Sequence, residues 1–341
     1  MNDLAQRLQG FLIARMPQAD DLEVSGLARI SGGSSQETYR FDASWRENGS
    51  GQTKALILRR APEAGLVNAK HDLEFSVYRA LEKTGIPVPK AHFLETDPRW
   101  LDRPFFIMDR APGDPGHFFG ADDPYQGRSD AVGAAFWTNL GKLASLDNEL
   151  PGLDVLRGAQ SVGNPGAHWS RELDRWEAIL DEGEAIVEPI VRGAIRWLRR
   201  NPPPPPSKTA IVHGDYRSGN FLFVPDGSIS AILDWEMCHL GDPLEDVAWA
   251  IDPMWSMERF FPLETGLALW EEASGLTINR DALEWWSLFA AVKACALWTA
   301  AEKSFEDGEN TEMIVALTAM RAPGFHRKVI LDHMQRKGAM A

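Results

Sequence analysis

Cysteine is nearly missing from this chain: Cys238 and Cys295 are the two among 341 residues. They lie far apart without metal-ligand spacing, so neither a disulfide framework nor a structural zinc is expected. Positive charge is also short. Lys and Arg total 35 against 49 Asp and Glu, a formal net charge of −14, so nucleic acid and anionic membrane are not expected as partners. No apolar run is long enough to span a bilayer, since the best one, Trp285 to Ala301, is too short, preceded by Glu284 and interrupted by Lys293. Asp3 and the lack of a long apolar core near the N terminus argue against a signal peptide, so a cytoplasmic protein is expected. Two nucleotide signatures are missing as well. No G-x-x-x-x-G-K-[ST] occurs, and no G-x-G-x-x-G follows a strand. Gly214 to Asn220 has the glycine spacing of the first but ends in Asn where Lys is required.

What remains is ordinary for a globular protein: 44% apolar and 25% charged residues. The length predicts two lobes, with expected boundaries at 1–110 and 111–341. Leu4, Leu8, Phe11 and Leu12 form one face of a first helix. Leu27–Ile30 and Glu37–Phe41 read as strands joined by Ser31, Gly32, Gly33, Ser34 and Ser35, small residues that allow close backbone approach to a phosphate or simply turn the chain. Ala55–Arg60 is a third strand, His71–Thr84 a helix, and Phe105–Met108 a strand running into a Pro/Gly segment that suits a hinge or a linker. Arg59 and Glu74 are placed to pair, though two solvated charges are the plainer outcome. From Ser129 the pattern turns helical, over 131–146, 169–180, 185–200, 283–303 and 309–320. Pro202 to Pro206 is a stiff spacer. A β-rich first part and a mainly helical second part define an α+β protein.

The chemistry concentrates at His213-Gly214-Asp215-Tyr216-Arg217-Ser218-Gly219-Asn220. An apolar strand precedes it, and a hairpin built on Pro225-Asp226-Gly227 follows and delivers Asp234. Asp215, Asn220 and Asp234 therefore meet at strand ends. One carboxylate can orient an attacking hydroxyl, while an amide and a second carboxylate can hold magnesium. Asp242-Pro243-x-Glu245 is a helix-start signature.

Taken with Ile232-Leu233-Asp234-Trp235-Glu236 and Gly241-Asp242-Pro243-x-x-Asp246, this order of motifs resembles the aminoglycoside phosphotransferase and choline kinase-like family. The subgroup it most resembles is the kinase-like domain joined to some acyl-CoA dehydrogenases. The resemblance implies a bilobal protein-kinase-like fold and an ATP- and magnesium-dependent kinase acting on a small-molecule hydroxyl. It implies Asp215 as the catalytic, hydroxyl-orienting residue and Asn220 and Asp234 as magnesium ligands. Ser31 to Ser35 would cover the phosphates, Arg59 with Glu74 would contact them, and Met108, Asp109 and Ala111 would form the adenine hinge. Asp246 would buttress the catalytic loop. Arg59 departs from the Lys usual in the wider family. The alternative is a kinase-like nucleotide-binding protein acting through partners.

Overall fold

The computed structural model describes residues 2–30, 36–61, 68–116, 122–158, 165–183, 187–308 and 313–337. The chain divides into two compact units, Met1–Pro112 and Gly113–Ala341.

The first unit is one antiparallel sheet with helices on both faces. Helix α1 (Asn2–Arg15) leads into β1 (Asp20–Ile30), β2 (Glu37–Glu47) and β3 (Ser50–Arg60). Then come α2 (Asn68–Leu81), β4 (Ala91–Glu95), the short α3 (Pro98–Leu101) and β5 (Phe105–Asp109). The strand order is β1-β2-β3-β5-β4. β2 and β3 pair without interruption from Glu37↔Arg60 to Glu47↔Ser50. Asn48 and Gly49 close that hairpin with φ of 51° and 78°, the left-handed pair that matches strand twist. Alternation then divides the strand residues between two faces. Leu56, Leu58, Phe105 and Ile107 share a core with Leu8, Phe11 and Leu12 of α1. On the other side Phe106 meets Phe75 and Tyr78 of α2. The neighbour of Leu58 in the chain, Arg59, faces that second side and reaches Glu74 on α2.

The second unit is mainly helical. It comprises α4 (Ser129–Ser145), α5 (Asp154–Gly158), α6 (His168–Gly183), α7 (Pro189–Arg200), β6 (Ala210–Val212), β7 (Phe221–Phe223), β8 (Ile229–Ile232) and β9 (His239–Gly241). α8 (Leu244–Ala250), α9 (Leu263–Ser274), α10 (Arg280–Glu306) and α11 (Met313–Arg336) complete it. α10 is the hub, packing against α6, α7, α8 and α11. α4 crosses α9 closely enough that a Cβ on Gly141 would lie 2.7 Å from the Trp270 carbonyl.

The expected α+β division holds, with differences at the edges. α7 starts at Pro189, in the first helical position where its missing N–H costs nothing. The last helix runs through Pro323 to Arg336, well past the expected end at Met320, and a proline inside a helix forfeits one backbone hydrogen bond there. β4 and β9 were not foreseen.

Candidate active site

Two small antiparallel pairings build the loop around Asp215. β6 pairs with β9 through Ala210↔Gly241 and Val212↔His239, and β7 pairs with β8 through Phe221↔Ile232. The latter register sets Asn220 opposite Leu233, and the Leu233 N–H donates to the Asn220 carbonyl at 2.8 Å. Asp234, the next residue, therefore leaves the same end of the hairpin from which Asn220 enters. Asp234 has φ 70° and ψ 56°, left-handed geometry that Asp tolerates better than most side chains.

The loop backbone is fastened by buried polar groups. The Asp246 carboxylate on α8 accepts the N–H of His213 at 2.6 Å and that of Gly214 at 2.9 Å. Burial pushes the Asp246 carboxyl up to about 6, against the pull of those two N–H donors. Gly214 has φ +84°, and a Cβ there would sit 2.6 Å from the Met237 carbonyl, so a side chain is excluded twice over. His213 uses both ring nitrogens internally. Its Nε2 donates to the Leu233 carbonyl at 2.9 Å, and its Nδ1 accepts the Asp215 N–H at 3.1 Å. Burial lowers its pKa to about 4. A ring so occupied fixes the loop and has no nitrogen left to act as a base.

Asp215 is 8% exposed and accepts from three side chains. Trp249 Nε1 donates to Oδ1 at 2.7 Å, Arg217 Nε donates to Oδ1 at 2.9 Å, and Asn220 Nδ2 donates to Oδ2 at 2.5 Å. Asn220 Nδ2 also donates to the Asp215 carbonyl at 3.0 Å. Both donations use the amide nitrogen, which leaves the amide oxygen as the atom Asn220 can offer a cation. The carboxylate is thus held in one orientation, an arrangement suited to receiving a hydroxyl.

Two supports come from outside the His213–Asn220 loop. Asp242 accepts the Leu244 N–H and the Trp286 indole N–H, both at 2.9 Å, and burial pushes its carboxyl up to about 6. Glu245 is buried against Lys293 Nζ and His239 Nε2, each at 3.0 Å. Burial alone would raise the Glu245 carboxyl, but these two cationic partners hold it well below the usual range. Glu172 joins them: ligand atoms of Glu172, His239 and Glu245 lie within 4.8 Å of one another. Lys293 already supplies positive charge to that cluster.

In the first unit, Arg59 Nη1 lies 3.0 Å from Glu74 Oε1. Gln36 bridges the pair, donating to Glu74 Oε2 at 3.0 Å and accepting from Arg59 Nε at 3.1 Å. Ser31, Gly32, Gly33, Ser34 and Ser35 lie outside the described residues. Met108 is paired on both sides of β5, with Ile57 and with Ala91. The Asp109 N–H donates to the Lys90 carbonyl and the Arg110 N–H to the Ala55 carbonyl. Ala111 is the first residue of the expected hinge beyond these bonds.

Gln36, Arg217, Trp249 and Lys293 escaped the sequence reading. The last carried a signal: a lone cation inside an apolar helical run must find partners once buried. Trp249 follows Asp246 by three positions on α8, so the two share a helix face.

Residues 26–286 match the phosphotransferase enzyme family. The mouse protein acyl-CoA dehydrogenase family member 10 is 30% identical over 231 residues, 66% of this chain and 20% of that protein, so the chain spans about a fifth of that relative's length. A Ralstonia eutropha crystal structure provisionally assigned as an aminoglycoside phosphotransferase superposes with a TM-score of 0.70 at 21% identity, covering 95% of this chain and 97% of that one. A thermostable mutant of aminoglycoside phosphotransferase APH(4)-Ia, solved with ADP and hygromycin B, superposes with a TM-score of 0.54 at 18% identity, covering 96% and 98%. The chain belongs to the phosphotransferase enzyme family and has its kinase-like fold.

Proposed function

We propose that this protein is a small-molecule kinase that transfers the γ-phosphoryl group of ATP to a substrate hydroxyl. The observation that carries the reading is Asp215, a carboxylate aimed by three donors on a loop whose other end carries Asn220 beside Asp234. Phosphoryl transfer asks little covalent chemistry of a protein and much positioning. Asp215 would accept a hydrogen bond from the attacking hydroxyl and align its oxygen. Arg217 and Trp249 would keep that carboxylate oriented.

The donor set fits magnesium, since the Asn220 amide oxygen and the Asp234 carboxylate are hard oxygen ligands leaving one hairpin end. Magnesium, when bound, would supply charge neutralisation on the nucleotide phosphates. Ser31 to Ser35 would cover those phosphates, and Arg59, oriented by Glu74 and Gln36, would contact them. Arg serves this role with a fixed, bidentate fork. Adenine would be read at the strand end formed by Met108, Asp109 and Ala111, through carbonyls or through the N–H of Ala111, because the Asp109 N–H is already committed to Lys90.

The acceptor is a small hydroxylated compound. The dehydrogenase name of the mouse relative favours a hydroxyacyl compound over an aminoglycoside. The test is magnesium-dependent ATP consumption with a panel of hydroxy acids, hydroxyacyl thioesters, aminoglycosides and amino alcohols, run beside Asp215→Asn. The variant is expected to bind magnesium-ATP like the parent and to lose turnover by roughly a hundredfold or more, the usual contribution of such a group. Equal turnover by both proteins would overturn the reading.

A further inference from the structure

Lys293 sits in the middle of α10 and is 1% exposed. Its Nζ donates to the Gly214 carbonyl at 2.6 Å and to Glu245 Oε1 at 3.0 Å. The same nitrogen lies 4.8 Å from the ring centroid of Trp249 and 5.3 Å from that of Trp176, both within cation–π range. One buried cation therefore touches two of the routes by which Asp215 is held. The first is the backbone, through the residue immediately before Asp215. The second is the Trp249 ring, whose N–H donates to Asp215 Oδ1 at 2.7 Å.

The remaining contacts explain why this nitrogen stays put. Glu245 is held in turn by His239 at 3.0 Å, and His239 Nδ1 donates to the Met237 carbonyl at 2.9 Å, the carbonyl that a side chain at Gly214 would strike. His239 also begins β9, the partner of the strand that feeds the loop. Lys293 is thus the point where α10, α8 and the Asp215 loop are tied together.

We propose that Lys293 is a positioning residue for Asp215. It acts through the Gly214 carbonyl and the Trp249 ring and touches no reactant. The proposal rests on Asp215 being the hydroxyl-orienting carboxylate, so its test carries a control for that reading.

The experiment compares Lys293→Met and Lys293→Gln, each combined with Glu245→Gln so that no lone carboxylate is left buried. Circular dichroism and thermal melting establish that the variants are folded. Glutamine keeps a donor for the Gly214 carbonyl and methionine does not, so turnover in magnesium-dependent ATP hydrolysis is expected to fall in the order parent, Gln, Met. The Met variant should lose about tenfold or more in kcat with little change in KM for ATP, the split expected when a positioned group is displaced. The Trp249 indole N–H resonance, identified by its loss in Trp249→Phe, should move in the Met variant even before ATP is added. A folded Met variant with the parent's kcat and an unmoved indole resonance overturns the proposal. So does a loss of ATP affinity equal to the loss of turnover, because that reports general loosening. Equal hydrolysis by the parent and Asp215→Asn would instead overturn the reading of Asp215 itself.

Discussion

Asp234 shows how backbone and chemistry can select the same residue. Its φ of 70° is open at low cost to Gly, Asn and Asp, and among these only Asp brings a carboxylate. Asp234→Asn should keep the hairpin end intact while weakening magnesium-dependent ATP binding in calorimetric titration. Asp234→Ala should weaken it as much and should also lower unfolding stability by roughly 1 kcal/mol through the left-handed backbone, read by urea denaturation. Equal stability of the two variants would show that the backbone exerts no such selection. His213 offers a second check at this scale. Its pKa is about 4 in the folded protein, lowered from 6.5 by burial. As pH falls below 6.5 the unfolded chain takes up a proton that the folded chain refuses until about 4, so stability drops through that window. The loss between pH 7 and pH 4.5 amounts to about 2 kcal/mol for this one group. Asp242 and Asp246, both raised to about 6, have the opposite sign and mask it in the parent. The readout is therefore a difference: His213→Gln should show less loss of stability on acidification than the parent by that amount.

The elements differ in how openly their sequences announce them. α1 is legible because Leu8, Phe11 and Leu12 repeat at helical spacing and all three are fully buried against the sheet. Phe11 packs edge-on against Phe93, Trp100 and Phe105, with ring centroids 4.9 to 6.0 Å away. Phe11→Ala should cost about 3 to 5 kcal/mol in urea denaturation. A loss below 1 kcal/mol would mean that the helix is peripheral to the fold. The β7–β8 hairpin is legible too, from its turn residues and the apolar runs beside them. β9 is not, because His239-Leu240-Gly241 is three residues long and fully buried, so no alternation marks it. Trp249 was hidden for a different reason. Helical periodicity correctly assigns its ring to the core, and periodicity says nothing of an indole N–H aimed at a carboxylate. Gln36 and Lys293 depend on partners 38 and 79 residues away, which only the folded chain brings near.

At the scale of the whole molecule, the division between Pro112 and Gly113 falls two residues from the expected boundary, at the Pro/Gly segment that ends the first sheet. The fold was readable because a β-rich part and a helical part follow one another in order, each with its own periodicity. Charge is the other property that belongs to the entire chain. With 49 acidic residues against 35 basic ones, the protein should pass through a polyanion column at low ionic strength. Retention there that weakens with salt would reveal a basic patch and reopen nucleic acid as a partner. No helix among the described residues is long and apolar enough to cross a membrane.

The ties around Gly214 also have an order in time. The bonds from Asp246 and Trp249 to the loop reach across 32 to 34 residues of chain, whereas the bond from Lys293 reaches across 79. A chain growing from its N terminus emerges with Asp215, Asn220 and Asp234 well before α10 has been made. Each of these three side chains is thus synthesised ahead of the Lys293 tie, and the nascent loop stays incompletely fastened until α10 arrives.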